Sequence, residues 1–127
     1  MLFVWFLGGN RLNRMFVYAK KFDREWDALG LTAEDLRKLE DALLENPALG
    51  KMMEGTGGLR KVRWNLEGGG KSGGVRVLYI DMPTAQIICM IDLFPKNEKD
   101  NLTKDEKNKI KKVVKLIVEE LGNEQTI

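Results

Sequence analysis

The chain predicts an α+β fold, a small twisted, mainly antiparallel sheet with an N-terminal αα-hairpin and one C-terminal helix. Three observations predict it. Residues 59–66 and 75–81 alternate with the period of two that a half-buried strand requires, and residues 86–93 form a nearly continuous apolar run. Two short stretches before them and one long stretch after them repeat apolar residues every three to four positions. The resulting order is β-α-α-β-β-β-α.

The first strand is expected over residues 16–19, where Phe16, Val17 and Tyr18 are aromatic or β-branched. Phe22, Trp26 and Leu29 follow at spacings of four and three, which puts them on one face of a helix that Gly30 ends. Thr32 is a favourable N-cap for the next helix, with Glu34 and Asp35 near the positive end of its dipole. Its apolar stripe is Leu36, Leu39, Leu43 and Leu44, and Asn46-Pro47 stops it.

Residues 47–58 read as a loop. Beyond it, Leu59, Lys61, Arg63 and Asn65 fall on one side of a strand, and Arg60, Val62, Trp64 and Leu66 on the other. The glycine-rich turn at 67–74 leads to the strand at 75–81, in which Val75, Val77 and Tyr79 alternate with Arg76, Leu78 and Ile80. Pro83-Thr84 marks a further turn, and the run at 86–93 is the expected central strand of an antiparallel meander. Thr103 and Glu106 have the spacing of a capping box. Ile110, Val113, Val114, Ile117, Val118 and Leu121 then line one face of the last helix, which Gly122 closes.

At 127 residues the chain suffices for one core. Residues 15–127 are expected to form that single domain, with 1–14 as an N-terminal extension outside it. The extension holds an apolar run of seven residues with no preceding cation, too short for a bilayer span and unlike a secretory leader. A membrane anchor or a partner-binding strand remain alternatives for it. Cys89 is the only cysteine, which rules out an internal disulfide and a Cys-rich zinc site and suits a reducing, cytoplasmic setting. Histidine is absent, so neither the usual neutral-pH base nor the usual metal ligand is available.

Net charge is +2, unevenly spread: residues 1–58 carry −1 and residues 59–127 carry +3. Arg60, Lys61, Arg63, Lys71 and Arg76 stand against the single anion Glu67 between positions 59 and 80, which suits a local phosphate site. Gly70-Lys71-Ser72 does not make a nucleotide-phosphate loop. Asn65 stands where that loop needs a glycine, and a strand rather than a helix follows. A flexible turn can still bring Lys71 to a phosphate.

Lys61 and Arg63 share a strand face, and a register that sets Arg76 beside them would surround one phosphate-sized spot with three cations. Composition supports a solvated face paired with carboxylates equally well. Residues 94–100 read from spacing as a polar connector, and the lysines of the last helix as a solvated face.

Three segments carry a family resemblance. They are Glu45-Asn46-Pro47 followed by Gly55-Thr56-Gly57-Gly58-Leu59-Arg60-Lys61-Val62-Arg63, then Gly70-Lys71-Ser72-Gly73-Gly74-Val75-Arg76-Val77-Leu78-Tyr79, then Lys96-Asn97-Glu98 with Leu102-Thr103. Together, over about residues 15–121, they resemble the RelE/HigB toxins of bacterial toxin–antitoxin pairs. The resemblance implies a RelE-like fold, a cognate antitoxin, and cleavage of mRNA on the ribosome by attack of a ribose 2′-OH on the adjacent phosphate. It implies no cofactor, no metal, no membrane partner and no DNA binding by the toxin itself.

By motif position, Lys61 and Arg63 match the family's basic pair and Arg76 its phosphate-stabilising arginine. A lysine among other cations in a partly desolvated site has a lowered pKa and can act as a base. Arginine's planar fork fits phosphate oxygens and stabilises their charge. The expected roles are therefore Lys61 as base, Arg63 and Arg76 on the phosphate, and Arg60, Lys71 and Lys99 on flanking RNA. Asn97 and Thr103 stand where the best-known RelE pattern has an arginine and a tyrosine, which points to the HigB-like branch. The leaving-group acid then falls to Lys96 or Lys99. Two other readings stay open: a gyrase-poisoning toxin of the ParE kind, and a non-catalytic RNA-binding relative.

Overall fold

The computed structural model describes residues 3–6, 14–65, 74–97 and 101–124. In chain order the elements are β1 (Phe3–Phe6), β2 (Met15–Ala19), α1 (Lys20–Ala28), α2 (Ala33–Glu45), β3 (Lys51–Met52), β4 (Arg60–Asn65), β5 (Gly74–Met82), β6 (Ile87–Pro95) and α3 (Lys104–Glu124). They form one sheet in the order β1-β2-β6-β5-β4-β3. Only the β2–β6 pairing is parallel, and β4, β5 and β6 make the expected meander.

Local chemistry sets the helix boundaries. Gly30, at φ 72°, ends α1 where a side chain would be strained. Two residues later Thr32 opens α2 with a capping box, its hydroxyl accepting from the Asp35 N–H at 3.0 Å. The Trp26 indole N–H donates to the Thr32 carbonyl at 3.1 Å, which ties the two helices at their junction. Thr103 and Glu106 form the predicted capping box of α3. That helix runs past Gly122 to Glu124, since a glycine in a final turn weakens a helix without having to stop it.

Side-chain alternation divides the core in two. Phe16, Tyr18, Val77, Tyr79, Ile88 and Met90 meet Phe22 and Trp26 of α1 and Leu39, Leu43 and Leu44 of α2. On the opposite face, Val17, Leu78, Ile80, Ile87, Cys89 and Ile91 meet Val114, Ile117 and Leu121 of α3. β5 and β6 are therefore covered on both sides, which explains why 86–93 is apolar nearly throughout. Cys89 lies in the α3-side core, where burial pushes its thiol up to about 12, so it serves packing rather than chemistry.

Two strands were not expected. β1 lies in the N-terminal apolar run and pairs antiparallel with β2, Phe3 opposite Ala19 and Phe6 opposite Phe16. β3 interrupts the expected loop at 47–58, with Lys51 opposite Lys61 and Met52 opposite Arg60. Two exposed residues leave no periodic trace in a sequence, and β3 exists because Gly50 lets the chain approach closely. A Cβ on Gly50 would stand 2.9 Å from the Lys61 carbonyl carbon and oxygen. The return to β4 is a tight turn in which Thr56 Oγ1 donates to the Met53 carbonyl at 2.6 Å and accepts from the Leu59 N–H at 3.2 Å.

One buried acid sits in the α2-side core. Glu40, 5% exposed, accepts a hydrogen bond from the Tyr18 hydroxyl. Burial, with a smaller push from Asp41, raises its carboxyl from 4.5 to about 7. A carboxyl with a raised folded-state pKa contributes fully below its unfolded value and loses that contribution as pH climbs through its folded value. Stability is therefore expected to fall between roughly pH 4.5 and 8. Across that window Glu40→Gln should remove a loss of about 3 kcal/mol, because each tenfold change in proton affinity is worth about 1.4 kcal/mol. Denaturant melts at pH 5 and pH 8 check this, and parallel pH profiles for the two proteins would disprove it.

Candidate nucleic-acid interface

Antiparallel partners project side chains to the same face, so strand register decides which cations meet. β4 and β5 pair with Arg63 opposite Arg76, and β3 and β4 pair with Lys51 opposite Lys61. Lys61 and Arg63 are two apart on β4 and share a face, so four cations lie on the side of the sheet that carries α3. The register thus brings together Lys61, Arg63 and Arg76, and adds Lys51, which the sequence pattern did not reveal.

Their settings differ. Arg76 is 6% exposed and lies between Arg63 of β4 and Phe94 of β6, its direct partners across the sheet. Its guanidinium runs back toward Gly74, with Nη1 3.8 Å from where a Gly74 Cβ would stand. Arg63 is exposed and Lys61 half-buried. The Lys61 ammonium donates to Asn101 Oδ1 at 2.6 Å, in the segment leading into α3. Like charges directly opposite one another disfavour a sheet pairing.

A hollow of about 400 Å³ opens at the β4 edge, lined by Leu49, Lys51, Lys61, Val62, Arg63 and Trp64. Among the described residues, β3 pairs with Arg60 and Lys61 and no strand pairs with the rest of that edge. Trp64 alternates with Arg63 along β4 and packs toward the α1–α2 core, so the cations alone occupy the α3 side of this edge.

The remaining expected residues separate. Arg60 is opposite Tyr79, on the helix α1–α2 side of the sheet, and its Nη1 donates to the Gly50 carbonyl at 2.7 Å. It thereby braces the loop before β3. Lys96 follows β6, is exposed, and donates its N–H to the Gly74 carbonyl at 3.0 Å, level with the start of the Arg76 strand. Asn97 is exposed, and Thr103 caps α3. Lys71 and Lys99 lie outside the described residues.

Tyr79 holds the whole edge in place. Its hydroxyl accepts from the Gly50 N–H at 2.8 Å and donates to the Pro47 carbonyl at 2.8 Å. Burial is the main influence on this phenol and raises its pKa, so it stays protonated and able to donate. The clasp fixes residues 47–50, hence β3, hence Lys51 beside Lys61. Tyr79→Phe should cost about 1–3 kcal/mol, the usual penalty for leaving buried partners unpaired. Hydrogen exchange should also speed at Gly50 and Lys51 while Val77 keeps its protection. Unchanged exchange at Gly50 would show that the clasp does not hold the edge.

Among the described residues no helix is long and apolar enough to cross a membrane. The family model described as the RelE toxin of the RelE/RelB toxin–antitoxin system matches residues 13–125, nearly the whole chain and all of the cationic face. The α+β fold agrees, with helices on both faces of a mostly antiparallel open sheet. The chain belongs to the RelE toxin family: it is the toxin of a toxin–antitoxin pair, with a cognate antitoxin as its partner.

Proposed function

We propose that this toxin is a ribosome-dependent mRNA endoribonuclease that acts without a metal ion. One observation carries the reading: two like-charged pairs, Lys51 with Lys61 and Arg63 with Arg76, stand directly across neighbouring strands on one face. A phosphate of the RNA backbone seated there would interact favourably with both members of each pair.

In the proposed reaction Lys61 removes the proton from a ribose 2′-OH, whose oxygen attacks the adjacent phosphorus. Arg63 and Arg76 hold the non-bridging oxygens and stabilise the charge that builds on them. The bond to the 5′-oxygen breaks, and that oxygen takes a proton from Lys96, at the open end of β6. The products are a 2′,3′-cyclic phosphate and a 5′-OH. Lys51 contacts the neighbouring phosphate. The Lys61–Asn101 hydrogen bond orients the Lys61 side chain before RNA arrives, and the base is its neutral amine.

Arg76→Ala should lower cleavage by roughly 10²–10³-fold, the usual loss when a charge-stabilising donor is removed. Thermal melting and antitoxin binding should stay intact. The measurement is primer extension on cellular mRNA after induced expression, where the parent toxin should leave codon-phased cuts. Undiminished cutting by Arg76→Ala would remove that residue from the mechanism. Growth arrest with intact mRNA and damaged DNA would replace the reading with gyrase poisoning, and an absence of toxicity would indicate a non-catalytic RNA binder.

A further inference from the structure

A second concavity, about 430 Å³, lies between the start of α1, β6 and the first half of α3. Ile91, Leu102, Ile110 and Val113 make its floor, and the last three remain half-buried. A β-bulge between Leu78 and Tyr79 turns both Ile91 and Asp92 toward this side. Lys20, Lys21, Arg24 and Lys109, all exposed, stand around it.

Of the four rim cations, Lys21 and Lys109 are paired, the latter with Asp105 at 3.2 Å. Two carboxylates line the groove and both are engaged: Asp92 binds Lys21 at 2.6 Å and the Leu93 N–H at 2.8 Å, and Glu106 accepts from the Thr103 N–H at 2.9 Å. Among the described residues neither Lys20 nor Arg24 carries an ion pair. Lys20 and Lys21 also occupy the first turn of α1, where the helix dipole disfavours cations. The floor is aliphatic and offers no ring for a nucleobase to stack on.

We propose that this groove docks the antitoxin through an acidic amphipathic segment, its aliphatic side chains on Leu102, Ile110 and Val113 and its carboxylates on Lys20 and Arg24. The inference rests on the chain's being the toxin of a pair and is independent of its cutting RNA. Residues 101–106 would relay the contact, since Asn101 holds Lys61 while Leu102 and Glu106 line the groove.

The test measures binding of the purified toxin to its purified cognate antitoxin without RNA, for the parent, Lys20→Glu/Arg24→Glu and Ile110→Gln. The first variant alters only exposed side chains and should fold normally. Both variants should bind at least tenfold more weakly, and the parent's affinity should fall as salt rises. Antitoxin affinity unchanged in Lys20→Glu/Arg24→Glu would overturn the proposal, and a loss of ribosome binding in that same case would assign the rim to RNA. Weakened antitoxin binding by a toxin that cuts no mRNA would sustain the docking site while removing the proposed reaction.

Discussion

The pairing of β4 with β5 sets Arg63 directly opposite Arg76. Side chains at such paired positions stand about 5 Å apart at their Cβ atoms, on the same face. A slip of one residue would turn Arg63 toward the α1–α2 core and carry Val62 and Trp64 out of it. The register that makes the cationic face is therefore enforced by apolar burial on the other face. The protein tolerates the repulsion because Val62, Val75, Val77 and Tyr79, behind those cations, gain far more by leaving water.

The same division of labour explains the residues around the face. Tyr79 is a core side chain whose hydroxyl emerges at the sheet edge and clasps Pro47 and Gly50. Arg60, one of the motif's cations, serves that clasp from behind by binding the Gly50 carbonyl. The motif that contains Arg60, Lys61 and Arg63 thus divides its cations between the two faces, with Arg60 bracing the scaffold and Lys61 and Arg63 on the α3 side. Thr56 and the glycines flanking it complete the scaffold, since Gly55, Gly57 and Gly58 all adopt positive φ in the turn before β4.

The start of α3 joins the cationic face to the groove on its flank. Asn101 reaches Lys61 on one side, and Leu102 and Glu106 face the groove on the other. A partner seated in the groove would press on the segment that orients Lys61 without covering the cationic face.

Much of the fold was determined by sequence alone. Helical spacing located α1, α2 and α3, the Thr32 and Thr103 caps set two of their starts, and period-two alternation separated Arg63 from Trp64. These are local properties, carried by residues within one or two turns of each other. Alternation could place Lys61 and Arg63 on one face but could not say whether Arg76 joined them, because register depends on backbone pairing between β4 and β5. Tertiary structure decided that, and it also supplied Lys51. That residue became part of the face only when Gly50 let a two-residue strand pack against Lys61. It likewise decided that Arg60 would brace a loop behind the sheet, since a charge count treats every cation in a motif alike. The groove beside α3 was invisible for the same reason: its floor and rim come from three elements far apart in the chain, joined only by the fold.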